Sequence, residues 1–190
     1  MPGTASPVLL ARSAAAALSS ALPRVIGVVG AGQMGSGIAQ VAAMSGHEVL
    51  LVDPNQAALK KSEDGIGASL SRLCRKGALT EVDTLATQRR ITRLTELTAL
   101  QPAEFVIEAA TEQEDLKTII FQNLDQVVQP SCVLATNTSS ISITRLAART
   151  GRPEKVIGMH WMNPPPVMAL IEIIRGMHTD DEVRRGRSCI

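Results

Sequence analysis

Short apolar runs recur along this chain, and between them lie longer stretches whose apolar positions return every three or four residues. Residues 25–29 (Val-Ile-Gly-Val-Val) read as a buried strand, and from Gln33 onward Met34, Ile38, Val41 and Ala42 share one face of a helix. After a turn at Ser45 and Gly46, residues 48–52 form the next strand. A long helix follows, with Leu59, Ile66, Leu70 and Leu73 at helical spacing and Gly65 and Gly67 weakening its middle. Residues 81–89 predict a polar helix. Residues 91–96 and 105–108 predict short strands, the second apolar enough to be covered on both faces. A helix from about Glu112 is expected to bury Leu116, Ile119, Ile120, Leu124, Val127 and Val128. Residues 132–136 are again strand-like, and 141–148 a short helix capped by Ser139 or Ser140.

Strands alternating with helices at this spacing predict an α/β fold: a doubly wound, mostly parallel sheet of Rossmann type over residues 24–183. Ligands of such sheets bind beyond the carboxyl ends of the strands. Asp53, Glu108, Asn137 and His160 all fall at or just after such ends.

The first strand runs into Gly30-Ala-Gly-Gln-Met-Gly35, a G-x-G-x-x-G placed between strand and helix. There Gly30 permits a tight reversal, Gly32 lets the backbone approach a pyrophosphate, and Gly35 lets the helix pack on the strand. The helix start presents unpaired N–H groups and a partial positive charge to the phosphates. Asp53, ending the second strand, is placed to accept hydrogen bonds from an adenosine ribose. The same carboxylate would repel a 2′-phosphate, and no Lys or Arg follows until Lys60, so NAD(H) is preferred over NADP(H).

Lys and Arg number 19 against 18 Asp and Glu, which leaves no broad basic face for nucleic acid or an anionic membrane. Cys74, Cys132 and Cys189 are too widely spaced for a zinc site and odd in number for a disulfide framework, so a reducing compartment fits. No apolar stretch reaches the length of a membrane span. Residues 1–23 differ in composition, being rich in Ala, Ser, Leu and Pro, with Arg12 and no acid. They read as a mitochondrial targeting segment, a disordered leader or a misassigned start, with cytoplasmic or peroxisomal placement as alternatives. Residues 184–190 read as an irregular tail, and no apolar periodicity is apparent after Gly176.

His160 closes the run 156–160 and is followed by Trp161, Met162, Asn163 and Pro164 to Pro166. Three prolines enforce a turn or corner. A reversal centred near Pro166 would set Glu172, in the apolar run 167–174, opposite His160. An acid within such a run is costly unless paired, and His160 is its natural partner. Paired, Glu172 would fix the imidazole tautomer and stabilise its protonated form, making His160 a general base; a purely structural His-Glu pair is the alternative. Asn137, Ser139 and Ser140 carry small donors that either orient a carbonyl or hydroxyl or cap the next helix.

Four segments together resemble the L-3-hydroxyacyl-CoA dehydrogenase family, within it the 3-hydroxybutyryl-CoA dehydrogenase type. They are residues 30–40, Glu108-Ala109 with Glu112 and Lys117, Asn137-Thr-Ser-Ser-Ile-Ser-Ile-Thr144, and Gly158-Met-His-Trp-Met-Asn-Pro-Pro-Pro-Val-Met168. The resemblance covers Arg24 to about Glu182. It implies His160 as catalytic base, Glu172 as its orienting partner and Ser139 as the group holding the substrate C3 oxygen. It also implies an NAD site made by Gly30, Gly32, Gln33, Met34, Gly35, Asp53, Ala109, Glu112, Lys117, Asn137 and Asn163. Ser69 and Lys76 match positions that touch coenzyme A; seven residues is two helical turns, so they share a face that is either a binding or a solvated one. The implied reaction oxidises a 3-hydroxyacyl-CoA to the 3-oxoacyl-CoA with NAD⁺, usually in fatty acid β-oxidation.

Two departures accompany the match. Trp161 replaces the Phe usual after the catalytic His. The all-helical C-terminal domain, through which the family homodimerises and which supplies another active-site Asn, has no counterpart in this sequence. Two other readings therefore stand beside a dehydrogenase of acyl-CoA: an NAD(H)-binding module without turnover, and a related NAD-dependent hydroxyacid dehydrogenase.

Overall fold

Seven strands make one sheet, in the order β3-β2-β1-β4-β5-β6-β7. They are β1 Val25–Val29, β2 Glu48–Val52, β3 Ile91–Leu94, β4 Phe105–Glu108, β5 Val133–Thr136, β6 Val156–Trp161 and β7 Ile171–Arg175. The computed structural model describes residues 23–184. The expectations of a leader over 1–22 and of a tail over 185–190 lie outside the described residues. Strands β1 to β6 run parallel. The proline corner turns β7 back antiparallel to β6. Strand order reverses beside β1, between β2 and β4, and a crevice at such a switch point is where doubly wound sheets bind ligands.

The helices are α1 Gln33–Met44, α2 Gln56–Arg75, α3 Glu81–Arg89, α4 Glu114–Val127, α5 Ile143–Ala147 and α6 Asp181–Arg184. Alternation along the strands divides the core between the two faces of the sheet. Phe105 and Ile107 join Ile26, Ile38, Leu59 and Leu70 on one face, while Val106 joins Phe121, Leu124, Leu134 and Leu146 on the other. Every residue of β4 and β5 is buried, as strands covered on both faces require.

Several elements depart from the sequence reading. Helix α4 starts at Glu114 rather than Glu112 and turns Lys117, Phe121 and Leu124 to the sheet. Leu116 and Ile119 are exposed, at 36% and 54%. The buried stripe includes a lysine, which a pattern of apolar positions passes over. Helix α5 is capped by Ser142, whose hydroxyl accepts from the Arg145 amide, so neither Ser139 nor Ser140 caps it. The run 167–174 forms a strand only from Ile171, because the amides of Val167 and Met168 are taken up by the Pro164 carbonyl in the corner. As an edge strand, β7 leaves Glu172, Ile173 and Ile174 exposed. Beyond Gly176 the chain is held to the core: Thr179 Oγ1 donates to the Val156 carbonyl at 2.6 Å, and Val183 is buried.

Candidate functional site

The glycine turn is shaped by close approach. Gly30 has φ +101°, and a Cβ there would lie 2.7 Å from the Ala109 carbonyl oxygen. At Gly35 a Cβ would stand 1.8 Å from the Gly30 oxygen, so only glycine lets α1 leave β1 at this angle. Gly32 is different, since a Cβ would meet nothing within 4 Å. The space above it is open rather than filled by packing. Gly32 is the N-cap of α1, which has no side-chain cap and no acid in its first turn. Its amide donors and the positive end of its dipole therefore face an open site, as a pyrophosphate requires.

Asp53 is fixed at the end of β2. One carboxylate oxygen accepts from the Ala31 amide and the other from the Asn55 amide, each at 2.8 Å. A carboxylate offers about four lone-pair sites, so it retains acceptors for a ribose diol. Lys60 is occupied elsewhere, at 3.0 Å from both Glu63 and Asp64. Around Asp53 and Gly32 opens a cleft of 610 Å³, walled on one side by Leu116, Ile119 and Ile120 of α4. The exposed apolar residues of α4 thus face a cleft whose apolar wall would suit a ring such as adenine.

Ala109 and Ala110, the first residues after β4, line this cleft and also a second one of 470 Å³. The second cleft brings Met34, Glu112, Asn137, Ser139, His160 and Asn163 together. His160 pairs with Glu172 in the β6–β7 register, and its Nδ1 lies 2.8 Å from Glu172 Oε2. With Nδ1–H donating to the carboxylate, Nε2 is the proton acceptor. Glu172 is more than half exposed, so the pairing follows from strand register and not from a burial penalty. Asn137 Oδ1 accepts from the Trp161 amide at 2.9 Å, tying the β5 loop to the strand that carries His160. Across the cleft mouth Gln33 Nε2 donates to Asn163 Oδ1 at 3.0 Å.

Six of the expected residues line neither cleft: Gln33, Gly35 and Glu172 lie against the lining residues Asn163, Gly30 and His160, and the other three are Lys117, Ser69 and Lys76. Lys117 is 1% exposed and lies behind the wall, with Nζ 2.7 Å from Glu108 Oε1, 3.2 Å from the Ala110 carbonyl and 3.3 Å from Glu112 Oε2. Its contacts position the cleft-lining loop. Ser69 and Lys76 line neither cleft, and Lys76 is the C-cap of α2 rather than part of its last turn.

Around Lys117 lie two residues that sequence reasoning missed, Thr136 and Thr138, and one, Ser140, that it took for a cap or a ligand donor. Thr136 donates to Glu108 Oε2 at 2.6 Å, and the Ala110 amide donates to Glu108 Oε1 at 2.7 Å. Thr138 donates to Glu112 Oε1, and Ser140 does so at 3.1 Å. Burial alone would raise the Glu112 carboxyl. The Thr138 hydrogen bond, the Lys117 charge and the Ser140 hydroxyl outweigh it and hold the group below the ordinary carboxylate range. Glu108, an acid ending a buried strand, was the signal of this network that the strand pattern itself carried, and the resemblance named Glu112 and Lys117.

The pattern described as "3-hydroxyacyl-CoA dehydrogenase, NAD binding domain" matches residues 25–186. The chain is 46% identical over 162 residues to a 3-hydroxybutyryl-CoA dehydrogenase of Bradyrhizobium diazoefficiens, covering 85% of this chain and 55% of that one. It is 45% identical to a 3-hydroxyadipyl-CoA dehydrogenase of Escherichia coli, covering 84% of this chain and 34% of that one. The crystal structure of (S)-3-hydroxybutyryl-CoA dehydrogenase from Ralstonia eutropha superposes with a TM-score of 0.84 at 47% identity, over 86% of this chain and 58% of that one. The chain thus spans about half the length of the 3-hydroxybutyryl-CoA dehydrogenases it matches. With the glycine turn, Asp53 and the His160 cleft in place, the chain belongs to the 3-hydroxyacyl-CoA dehydrogenase family, as its NAD-binding domain.

Proposed function

We propose that this chain holds NAD(H) across the two joined clefts and serves the oxidation of a 3-hydroxyacyl-CoA to the 3-oxoacyl-CoA, the β-oxidation type of reaction. The observation that carries the reading is the His160–Glu172 pair, which opens on a cleft continuous, through Ala109 and Ala110, with the glycine turn. In this reading Asp53 takes the adenosine ribose, the start of α1 the pyrophosphate, and Asn163 the nicotinamide end. Bound NAD⁺ supplies the hydride acceptor. Ser139 holds the C3 oxygen of the substrate, and His160 Nε2 takes the hydroxyl proton as the C3 hydrogen leaves as hydride. Glu172, accepting from Nδ1, keeps the tautomer that can receive that proton. Relatives named for butyryl and adipyl substrates are almost equally similar, which supports the 3-hydroxyacyl-CoA class rather than one chain length.

The test pairs NADH binding with turnover of 3-hydroxybutyryl-CoA, followed by NADH absorbance. His160→Ala is expected to lower kcat by about 10²- to 10⁴-fold while leaving the NADH Kd within about twofold. A His160→Ala enzyme that keeps its rate overturns the role given to His160. NADH binding without turnover at any acyl length reduces the proposal to cofactor binding.

A further inference from the structure

The residues lining the His160 cleft include one carboxylate, Glu112, and no lysine or arginine. That carboxylate is immobilised: Thr138 and Ser140 donate to one oxygen, and Lys117 lies 3.3 Å from the other. Lys117 does not neutralise it. The ammonium is closer to Glu108, at 2.7 Å, and both of these side chains are buried, at 1% and 0% exposure. Two carboxylates therefore share one cation, leaving the trio one negative charge in excess. Glu112, with 43% of its side chain exposed, is the member that faces the cleft. Arg145, on the helix that follows the Thr138–Ser140 loop, is paired with Glu114 at 2.9 Å.

The oxidised and reduced nicotinamide rings are almost the same in shape and differ by one positive charge. A cleft that recognises them by shape and hydrogen bonding alone treats them alike, whereas a fixed negative charge separates them. We propose that Glu112 is a specificity-determining residue for the oxidation state of the cofactor, favouring the cationic NAD⁺ ring over the neutral NADH ring. The inference rests on the cleft being the nicotinamide end, as proposed above. It makes the Glu108–Lys117–Glu112 trio a device for loading the oxidised form and releasing the reduced one.

The ratio of the NADH and NAD⁺ dissociation constants, measured by calorimetric titration of the full chain, isolates this effect. Glu112→Gln keeps an acceptor for Thr138 and Ser140 but removes the charge. It is expected to shift that ratio toward NADH by about three- to tenfold, the scale of one charge acting across a solvent-open cleft. The shift should shrink at high salt. Glu114→Gln removes the same formal charge outside the cleft lining and is expected to leave the ratio within twofold. If Glu112→Gln weakens both forms equally, Glu112 is a structural tie and the inference fails. If Glu114→Gln shifts the ratio as much, the assignment to Glu112 fails. Should the unsubstituted chain bind neither form, it is the proposed function that fails.

Discussion

Replacing Lys117 by methionine tests whether the buried Lys117–Glu108 pair holds the wall of the site. Methionine keeps the unbranched stem and removes the ammonium. Glu108 would then be fully buried with only the Thr136 hydroxyl and the Ala110 amide as partners and no counter-charge. Removing one member of a buried ion pair costs about 3–5 kcal/mol, because the other charge remains desolvated. At about 2–4 °C per kcal/mol for a chain of this size, the melting temperature should fall by about 6–20 °C. Trp161 is the chain's single tryptophan and is 3% exposed, so its fluorescence in a urea titration reports unfolding directly. The companion variant, Glu108→Gln with Lys117→Met, removes both charges; its amide oxygen still accepts from the Ala110 amide, and its NH2 donates to the Thr136 hydroxyl, which turns to accept. It should regain most of the loss. A Lys117→Met protein within about 1 kcal/mol of the unsubstituted chain would refute the reasoning, since a stranded buried carboxylate cannot be that cheap. A double variant no better than the single one would refute it equally.

Two further predictions come from other parts of the fold. NADPH should bind at least about fivefold more weakly than NADH in a fluorescence titration, because like charges near 4 Å repel by about 1–4 kcal/mol and Lys60 is held by Glu63 and Asp64. Equal affinities would remove the role given to Asp53. Burial pushes the Cys132 thiol up to about 12, so the folded chain should leave it unalkylated by iodoacetamide at pH 8.5 while urea exposes it, as peptide mapping would show. The folded thiol stays protonated above the pH at which the unfolded one ionises. Its contribution to stability is therefore complete below about pH 9 and lost progressively toward about pH 12. Alkylation of the native protein at pH 8.5 would contradict that.

Much of this architecture was legible because it is local or periodic. The strands β1, β2 and β4 and the helix α3 have the bounds that apolar runs and helical spacing predict, and the glycine turn carries its own geometry in three residues. The His160–Glu172 pair was legible for a topological reason: three prolines force a reversal, and a reversal fixes which residues can face each other. The supporting argument failed even so. Glu172 was read as a buried acid in need of a partner, yet β7 is an edge strand and its acid is exposed. Whether a strand lies at the edge depends on how many neighbours the sheet gathers, which no window of a few residues records.

The remaining misreadings share a cause. Hydrogen bonds such as Thr136 to Glu108, Ser140 to Glu112 and Gln33 to Asn163 join residues 28, 28 and 130 positions apart, so they exist only once the sheet has brought the strand ends together. Helix α4 makes the same point through its faces. Periodicity assigned Leu116 and Ile119 to the core and ignored Lys117, whereas the fold buries the lysine beside Glu108 and leaves the two apolar residues open. Both inversions occur on the helix that walls the site, where Lys117 anchors the loop of Glu112 and Leu116 and Ile119 line the cleft beside Asp53. A folded core alone would reverse both choices, since an exposed lysine and two buried aliphatic side chains are the more stable arrangement. Local rules fail where a cleft overrides them, and here the failure of helical periodicity itself marks the face of α4 that walls the cleft beside Asp53.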